Sequence, residues 1–301
     1  MKNVIVSGGT GVIGIALIKY LLQHEINVYA VCRPSSSRIN SLPQHDNLHL
    51  VECDLKYIAK LPSLINVKCD VFFHLAWLGT EDPNNRFNMY IQSDNIRYSL
   101  DAVNAASKLG CTVFIGAGSQ AEYGHVDGII HPYMPTNPVS GYGMAKLCAG
   151  QMTRVMCQTL GIRHIWPRIV SVYGNGDGKN TFVRFIINTL QAGNKPSLTK
   201  CEQIWDYLYS MDAAEALFKM AEKGKDGAIY VLGSGKTKTL REYAEIIRDE
   251  IDPLLPLGFG EKEYYKDQAM HLEADISNLV NDTGWIPKTE FKDGINNILK
   301  W

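Results

Sequence analysis

Three residues into the chain, the apolar stretch Val4-Ile5-Val6 runs into Ser7-Gly8-Gly9-Thr10-Gly11-Val12-Ile13-Gly14, placing four glycines where a strand pattern gives way to a helix pattern. Apolar residues then recur at three- and four-residue spacing over 13–23, so the segment reads as strand, tight turn and helix. In such a junction the early glycines let the backbone turn sharply and approach a ligand, and Gly14 lets the helix lie close to the strand. The backbone around Gly11, Val12 and Ile13 then offers free N–H groups and the positive end of a helix dipole to a pyrophosphate.

The same rhythm continues. Apolar runs bounded by polar turns fall at Val4–Val6, Val28–Val31, Leu48–Val51, Val71–Leu75, Thr112–Ile115 and Arg163–Trp166, with helical patterns over 13–23, 88–109 and 141–160. Alternation of this kind predicts an α/β fold with a doubly wound parallel sheet covered by helices on both faces. After about residue 170 it gives way to the loop Tyr173-Gly174-Asn175-Gly176-Asp177-Gly178 and later to a stretch broken by Pro253, Pro256, Gly258 and Gly260. The expected organisation is a dinucleotide-binding domain over 1–170, rejoined by segments near 203–233, and a smaller substrate lobe over 171–301. A ligand is expected in the crevice between them, at the carboxyl ends of the strands.

With 301 residues, 46% of them hydrophobic, the chain suffices for a full core. Thirty basic and 31 acidic residues are well mixed, so no long-range field draws in nucleic acid or an anionic membrane. The chain shows no basic-then-apolar leader and no apolar run near the ~20 residues a bilayer span needs, and a cytoplasmic location is expected. Seven widely spaced cysteines without a C-x-x-C pair suggest neither a disulfide framework nor a zinc site, and the scattered histidines form no ligand pair. No metal is expected.

Tyr142-Gly143-Met144-Ala145-Lys146 sets a phenol and an ammonium one helical turn apart on one face. A nearby ammonium favours the phenolate, which suits Tyr142 to exchange a proton with a carbonyl or alcohol oxygen. Upstream, the strand Thr112–Ile115 ends in Gly116-Ala117-Gly118-Ser119, which puts the Ser119 hydroxyl at the same edge of the sheet, placed to hold the oxygen that Tyr142 protonates.

On these residues the chain resembles an extended short-chain dehydrogenase/reductase of the nucleotide-sugar branch, over essentially its whole length. The resemblance rests on Gly8-x-x-Gly11-x-x-Gly14, Tyr142-x-x-x-Lys146, Cys53-Asp54-Leu55, His74-Leu75-Ala76, Asp94-Asn95, Ser119-x-x-x-Tyr123-Gly124, Pro167-Arg168-Ile169-Val170-Ser171-Val172-Tyr173-Gly174 and Gly284-Trp285-Ile286-Pro287 with Asp293-Gly294-Ile295. It implies a Rossmann domain with a small nucleotide-sugar-binding lobe, and Ser119, Tyr142 and Lys146 as the catalytic residues. Cofactor contacts are implied at Gly8, Gly11, Val12, Ile13, Gly14, Asp54, Leu55, Leu75, Ala76, Asn95, Tyr142, Lys146 and Pro167. A homodimer built through helices 88–109 and 141–160 is implied by analogy.

Local residues sort the chemistries this frame supports. Dehydratases of the family follow the catalytic hydroxyl with Asp-Glu, where this chain has Gln120 and Ala121; GDP-fucose synthases place a cysteine where Ala121 stands. Strand Val28–Val31 is followed by Cys32-Arg33-Pro34-Ser35-Ser36-Ser37-Arg38, where an NAD-preferring enzyme carries an acidic residue for the ribose 2′-hydroxyl. Arg33, with Ser35, Ser36 and Arg38, is suited to a 2′-phosphate instead, which points to NADP(H), with NAD as the alternative. That preference favours a 4-ketoreductase acting on a nucleotide-linked 4-keto-6-deoxyhexose for surface polysaccharide. The alternatives are a 4-epimerase with tightly held NAD and a non-catalytic dinucleotide sensor. One departure stands out: Trp205 occupies the place of an arginine that usually contacts the nucleotide diphosphate. Arg184 and Arg241 are candidate replacements, and Trp205 itself either packs on the ligand or belongs to the core.

Overall fold

The computed structural model describes residues 1–34, 36–80, 82–265 and 268–300. The first half runs β1 (Asn3–Ser7), α1 (Val12–Gln23), β2 (Asn27–Cys32), β3 (Leu48–Glu52), α2 (Leu61–Leu64), β4 (Val71–His74), α3 (Met89–Lys108), β5 (Val113–Gly116), β6 (Gly118–Ser119), β7 (Gly128–Ile130), α4 (Gly141–Leu160) and β8 (Arg163–Ile169). There follow β9 (Val172–Tyr173), α5 (Phe182–Gln191), β10 (Ile204–Asp206), β11 (Leu208–Tyr209), α6 (Ser210–Lys223), β12 (Ala228–Leu232), β13 (Thr237–Thr239), α7 (Leu240–Ile251), β14 (His271–Ala274), α8 (Ser277–Thr283) and α9 (Phe291–Leu299).

The large sheet has the order β12-β8-β5-β4-β1-β2-β3, with β6 also on β8, and its pairs are parallel. Because successive side chains alternate faces, the unbroken apolar runs feed two cores at once. Val4, Val6, Phe73 and Ile115 lie in the core beneath α1 and α6, whereas Ile5, Phe72 and Phe114 lie in the one beneath α3. The chain reverses its strand order at β1 and β4, so the loops after these strands diverge and open a crevice at their carboxyl ends.

The two layers interleave along the sequence. Within the 203–233 stretch, α6 packs on α1 and β12 extends the large sheet, but β10 belongs to a second, four-stranded sheet of order β13-β10-β14-β7. That second sheet also draws β7 from inside 1–170. Leu279 and Trp285 return from the far end of the chain to the α1/α6 core. No single cut at residue 170 separates the layers. The second layer has its own core, including Tyr173, Ile186, Tyr243 and Ile295.

Helix α4, which carries Tyr142 and Lys146, starts where Ser140 Oγ accepts the Gly143 N–H at 3.2 Å and stops at Gly161, whose φ of 68° lies in the left-handed region. Six of the seven cysteines are buried and all are free thiols. Among the described residues no helix is long and apolar enough to cross a membrane.

Two glycines give contrasting expectations. A Cβ on Gly14 would overlap the Gly8 carbonyl oxygen and lie 2.7 Å from Gly9 Cα, so Gly14→Ala should cost about 1–3 kcal/mol by forcing backbone apart. A Cβ on Gly161 meets nothing within 4 Å, so Gly161→Ala should cost only about 1 kcal/mol for its positive φ. Denaturant midpoints of the two variants check the order.

Candidate active site

A cavity of about 580 Å³ opens at the carboxyl edge of the large sheet, floored by Gly8, Gly11, Val12, Ile13 and Gly14. A second cleft of about 390 Å³ continues it past Gly8 and Gly11 toward Arg33 and Arg38. Gly8 adopts φ 75°, and a Cβ there would lie 2.7 Å from the Ala76 nitrogen, so the turn presses directly on the loop after β4. Gly11 differs: the nearest atom to a Cβ there is the Gly8 oxygen at 3.5 Å, so its bareness serves the cavity rather than internal packing. Beside it, the first-turn N–H groups of α1 have no intrahelical acceptors. Backbone of this kind fits a dinucleotide pyrophosphate.

Leu75 lines both spaces, and Ala76, Cys53 and Leu55 line the second. Arg33 and Arg38 line the second cleft together, Ser36 does not, and Ser35 lies outside the described residues. Three of the residues expected to touch the cofactor have partners within the protein. Asp54 accepts the Lys56 N–H at 3.0 Å, capping a 3-10 turn. Asn95 accepts the Leu78 N–H at 2.7 Å and donates to the Leu78 and Ile91 carbonyls, each at 3.0 Å. It therefore shapes the loop after β4 from behind. Pro167 is buried within β8 opposite Tyr230, and Ile169, Val170 and Ser171 beyond it line the cavity instead.

Ser119, Tyr142 and Lys146 converge on the cavity. Ser119 Oγ accepts the Ala121 N–H at 3.2 Å. A Cβ on Gly143 would overlap the Ala121 carbonyl oxygen, so α4 rests directly on the turn that carries Ser119. Burial raises the Tyr142 phenol above its usual range, opposed by a hydrogen bond with Ser119 and by the positive charge of Arg86. Lys146 Nζ donates to the Ala117 carbonyl at 2.7 Å and lies 3.7 Å from the centre of the Trp77 ring. Burial lowers this ammonium to about 7, against the pull of Glu122. His74, at the end of β4, is lowered to about 3 by burial and by Lys146, and as a neutral ring it bridges Ser7 Oγ at 2.9 Å and Ser99 Oγ at 3.4 Å.

Sequence reasoning passed over the group behind Ser119. Glu122 is fully buried; its Oε1 accepts the Ser119 N–H and the Trp166 indole N–H, both at 2.9 Å, and its Oε2 accepts Arg168 Nε at 2.7 Å. Ser119-x-x-Glu122 is a capping-box spacing, a signal legible in the sequence. Also missed were Trp77, Arg86 and Thr80, which line the cavity from the loop after β4.

Trp205 lines the cavity, with its indole N–H donated to Ser171 Oγ at 2.9 Å, and it also packs in the second layer's core. Neither Arg184 nor Arg241 lines the cavity; Arg241 stacks 3.8 Å from the centre of the Phe259 ring. Asp177 does line it, but its Oδ1 accepts the Gly178 N–H and its Oδ2 the Thr181 hydroxyl, both at 2.8 Å.

The chain is 23% identical over 332 residues to dTDP-glucose 4,6-dehydratase of Haemophilus influenzae, covering 100% of this chain and 98% of the relative. It is 27% identical over 318 residues to CDP-abequose synthase of Salmonella typhimurium, covering 99% and 98%. Among solved structures, the UDP-N-acetylglucosamine 4-epimerase of Methanobrevibacter ruminantium superposes with a TM-score of 0.86 at 25% identity, over 100% of this chain and 97% of that one. DesIV, the dTDP-glucose 4,6-dehydratase of Streptomyces venezuelae, gives 0.86 at 19% identity, over 99% and 96%. Residues 4–233, from the strand before the glycine turn to just beyond the edge strand β12, match a single family, and the chain belongs to the NAD dependent epimerase/dehydratase family.

Proposed function

We propose that the protein is an NADPH-dependent 4-ketoreductase whose substrate is a nucleotide-linked 4-keto-6-deoxyhexose. The observation that carries this reading is a complete hydroxyl, phenol and ammonium set in one cavity with, among the described residues, no carboxylate pair beside it. Gln120 and Ala121 follow Ser119, and the cavity's Asp177 is committed to its own loop, whereas dehydration needs a separate acid and base at the sugar. Neighbours of the fold were solved with NAD, as in DesIV, or with NADPH, as in RMD of Pseudomonas aeruginosa, so fold alone leaves the choice of dinucleotide open. Arg33 and Arg38 in the second cleft favour a 2′-phosphate.

When bound, the reduced nicotinamide supplies a hydride to the C4 carbonyl carbon. Ser119 orients the carbonyl oxygen, Tyr142 gives it a proton from Oη and is left as phenolate, and Lys146 steadies that charge. The product is a 4-hydroxy deoxysugar nucleotide, and the second layer, through Trp205, Tyr207 and Phe182, forms the sugar-nucleotide wall. A 4-epimerase uses the same three residues and is the second reading, favoured by the likeness to an epimerase structure.

NADPH absorbance should fall in proportion to a freshly made 4-keto-6-deoxyhexose nucleotide, and Tyr142→Phe should lower kcat about 10²- to 10⁴-fold while still binding NADPH. Interconversion of C4 epimers without net cofactor consumption would replace this reading with the epimerase. Arg33→Ala should weaken NADPH binding about tenfold or more and NADH binding much less, as titration of cofactor fluorescence will report. The exposed side chains of Met144, Met152 and Val155 lie along one stripe of α4 and suit pairing with a second copy. Val155→Glu should then halve the mass seen by light scattering.

A further inference from the structure

The loop after β4 brings a third charged group to the site. A 3-10 turn over Pro83–Phe87 carries Arg86, whose guanidinium carbon lies 5.1 Å from the centre of the Tyr142 ring. Lys146 Nζ lies farther, at 5.8 Å, and is turned to the Trp77 ring and the Ala117 carbonyl. We propose that Arg86 is a positioning residue for proton transfer: its permanent charge over the Tyr142 ring steadies the phenolate left when the proton departs.

The placement of Arg86 is built by its surroundings. Gln92 on α3 is buried; its Nε2 donates to the Asn85 carbonyl at 2.8 Å, next to Arg86, and its Oε1 accepts the Trp77 indole N–H at 2.9 Å. One side chain thus fixes both the turn that bears Arg86 and the ring that faces Lys146. On the other side, a Cβ on Gly141 would lie 3.2 Å from the Arg86 carbonyl oxygen, so the first turn of α4 sits against the Arg86 backbone. Trp77 meets Tyr142 edge to face at 6.1 Å between ring centres, which closes the third side.

Every charged group near the phenol has a definite sense. Arg86 favours phenolate, Glu122 from behind Ser119 opposes it, and Lys146 from the same helix carries a charge that burial weakens; Asp177 is engaged by its own loop across the cavity. A guanidinium keeps its proton at any working pH, whereas a buried ammonium loses its proton more readily. Arg86 is therefore the dependable cation. Arg86 is an exposed residue outside the core, so its replacement leaves the core intact.

This inference rests on the oxidoreductase reading only for its kinetic arm. The test titrates the Tyr142 resonance in protein labelled at tyrosine Cζ, assigned by its absence from Tyr142→Phe, in wild type, Arg86→Lys and Arg86→Gln. The expected result is a midpoint about one pH unit higher in Arg86→Gln, because a lost cation leaves the phenol less acidic, and near wild type in Arg86→Lys. In the reductase assay kcat should fall about tenfold in Arg86→Gln, with little change in KM, and the high-pH fall in rate should move upward by the same unit. Coincident titration midpoints in wild type and Arg86→Gln would overturn the proposal, as would a change confined to KM, which would make Arg86 a substrate anchor. A shifted midpoint in a protein that reduces no keto sugar would uphold Arg86 and sink the reductase reading alone.

Discussion

The buried carboxylate of Glu122 fixes the working geometry of this molecule. It accepts from Ser119, Trp166 and Arg168 at once, joining the loop after β5 to the middle of β8. Removing one partner of such a buried pair leaves a charge without a counter-ion, typically at a cost of about 3–5 kcal/mol. The Arg168 guanidinium is itself held by the Pro132 carbonyl at 3.1 Å and lies 4.4 Å from the centre of the Tyr123 ring. With this turn held rigid, α4 seats on the Ala121 carbonyl through Gly143, which sets Ser119 and Tyr142 at a fixed mutual distance.

How much of this was legible in the sequence depends on how far apart the cooperating residues lie. The glycine turn is local: strand, turn and helix occupy consecutive residues, and Gly14 is fixed by backbone contacts within the turn itself, although Gly8 answers to the loop after β4 and Gly11 to the cavity. The Tyr142 and Lys146 pair is equally local, one helical turn on α4. The inner strands β1, β4 and β5 were legible because burial on both faces makes each a nearly unbroken apolar run. Asp54, Asn95 and Pro167 were harder. Their place in a motif marks them as important, but only tertiary structure reveals that the first caps a turn, the second shapes a loop and the third fills a strand. Arg86 sits in a short turn without apolar period, and its use depends on Tyr142 on the distant helix α4, whereas Gln92 belongs to a legible helix but reveals its partners, Asn85 and Trp77, only in the folded chain.

The interleaving of the two layers has the same origin. A boundary read from rhythm alone assigns β7 to the first layer, because it follows β6 closely, yet its partner is β14. Pairing between distant strands leaves no local trace in a three-residue segment. The gain is mechanical: the chain crosses between layers several times near the cavity, so its walls from Ile169 to Val172 and from Trp205 to Tyr207 are anchored in both cores.

Burial pushes the three titratable groups at the heart of the site toward their neutral forms. His74 is lowered to about 3, Lys146 is lowered to about 7, and the Tyr142 phenol is raised, each with desolvation as the largest cause. That bias bears on the proposed proton transfer. A step that reduces a carbonyl begins with a protonated phenol, which must give its proton to the new alkoxide; a step that oxidises an alcohol begins with a phenolate, which must take one. Burial that opposes deprotonation of Tyr142 suits the first, and the Ser119 hydrogen bond and the Arg86 charge act in the other direction. In the proposed reduction the departing proton leaves a phenolate whose neighbours act in opposite senses: the Ser119 hydrogen bond and the Arg86 charge favour it, while burial and the Glu122 carboxylate behind Ser119 oppose it.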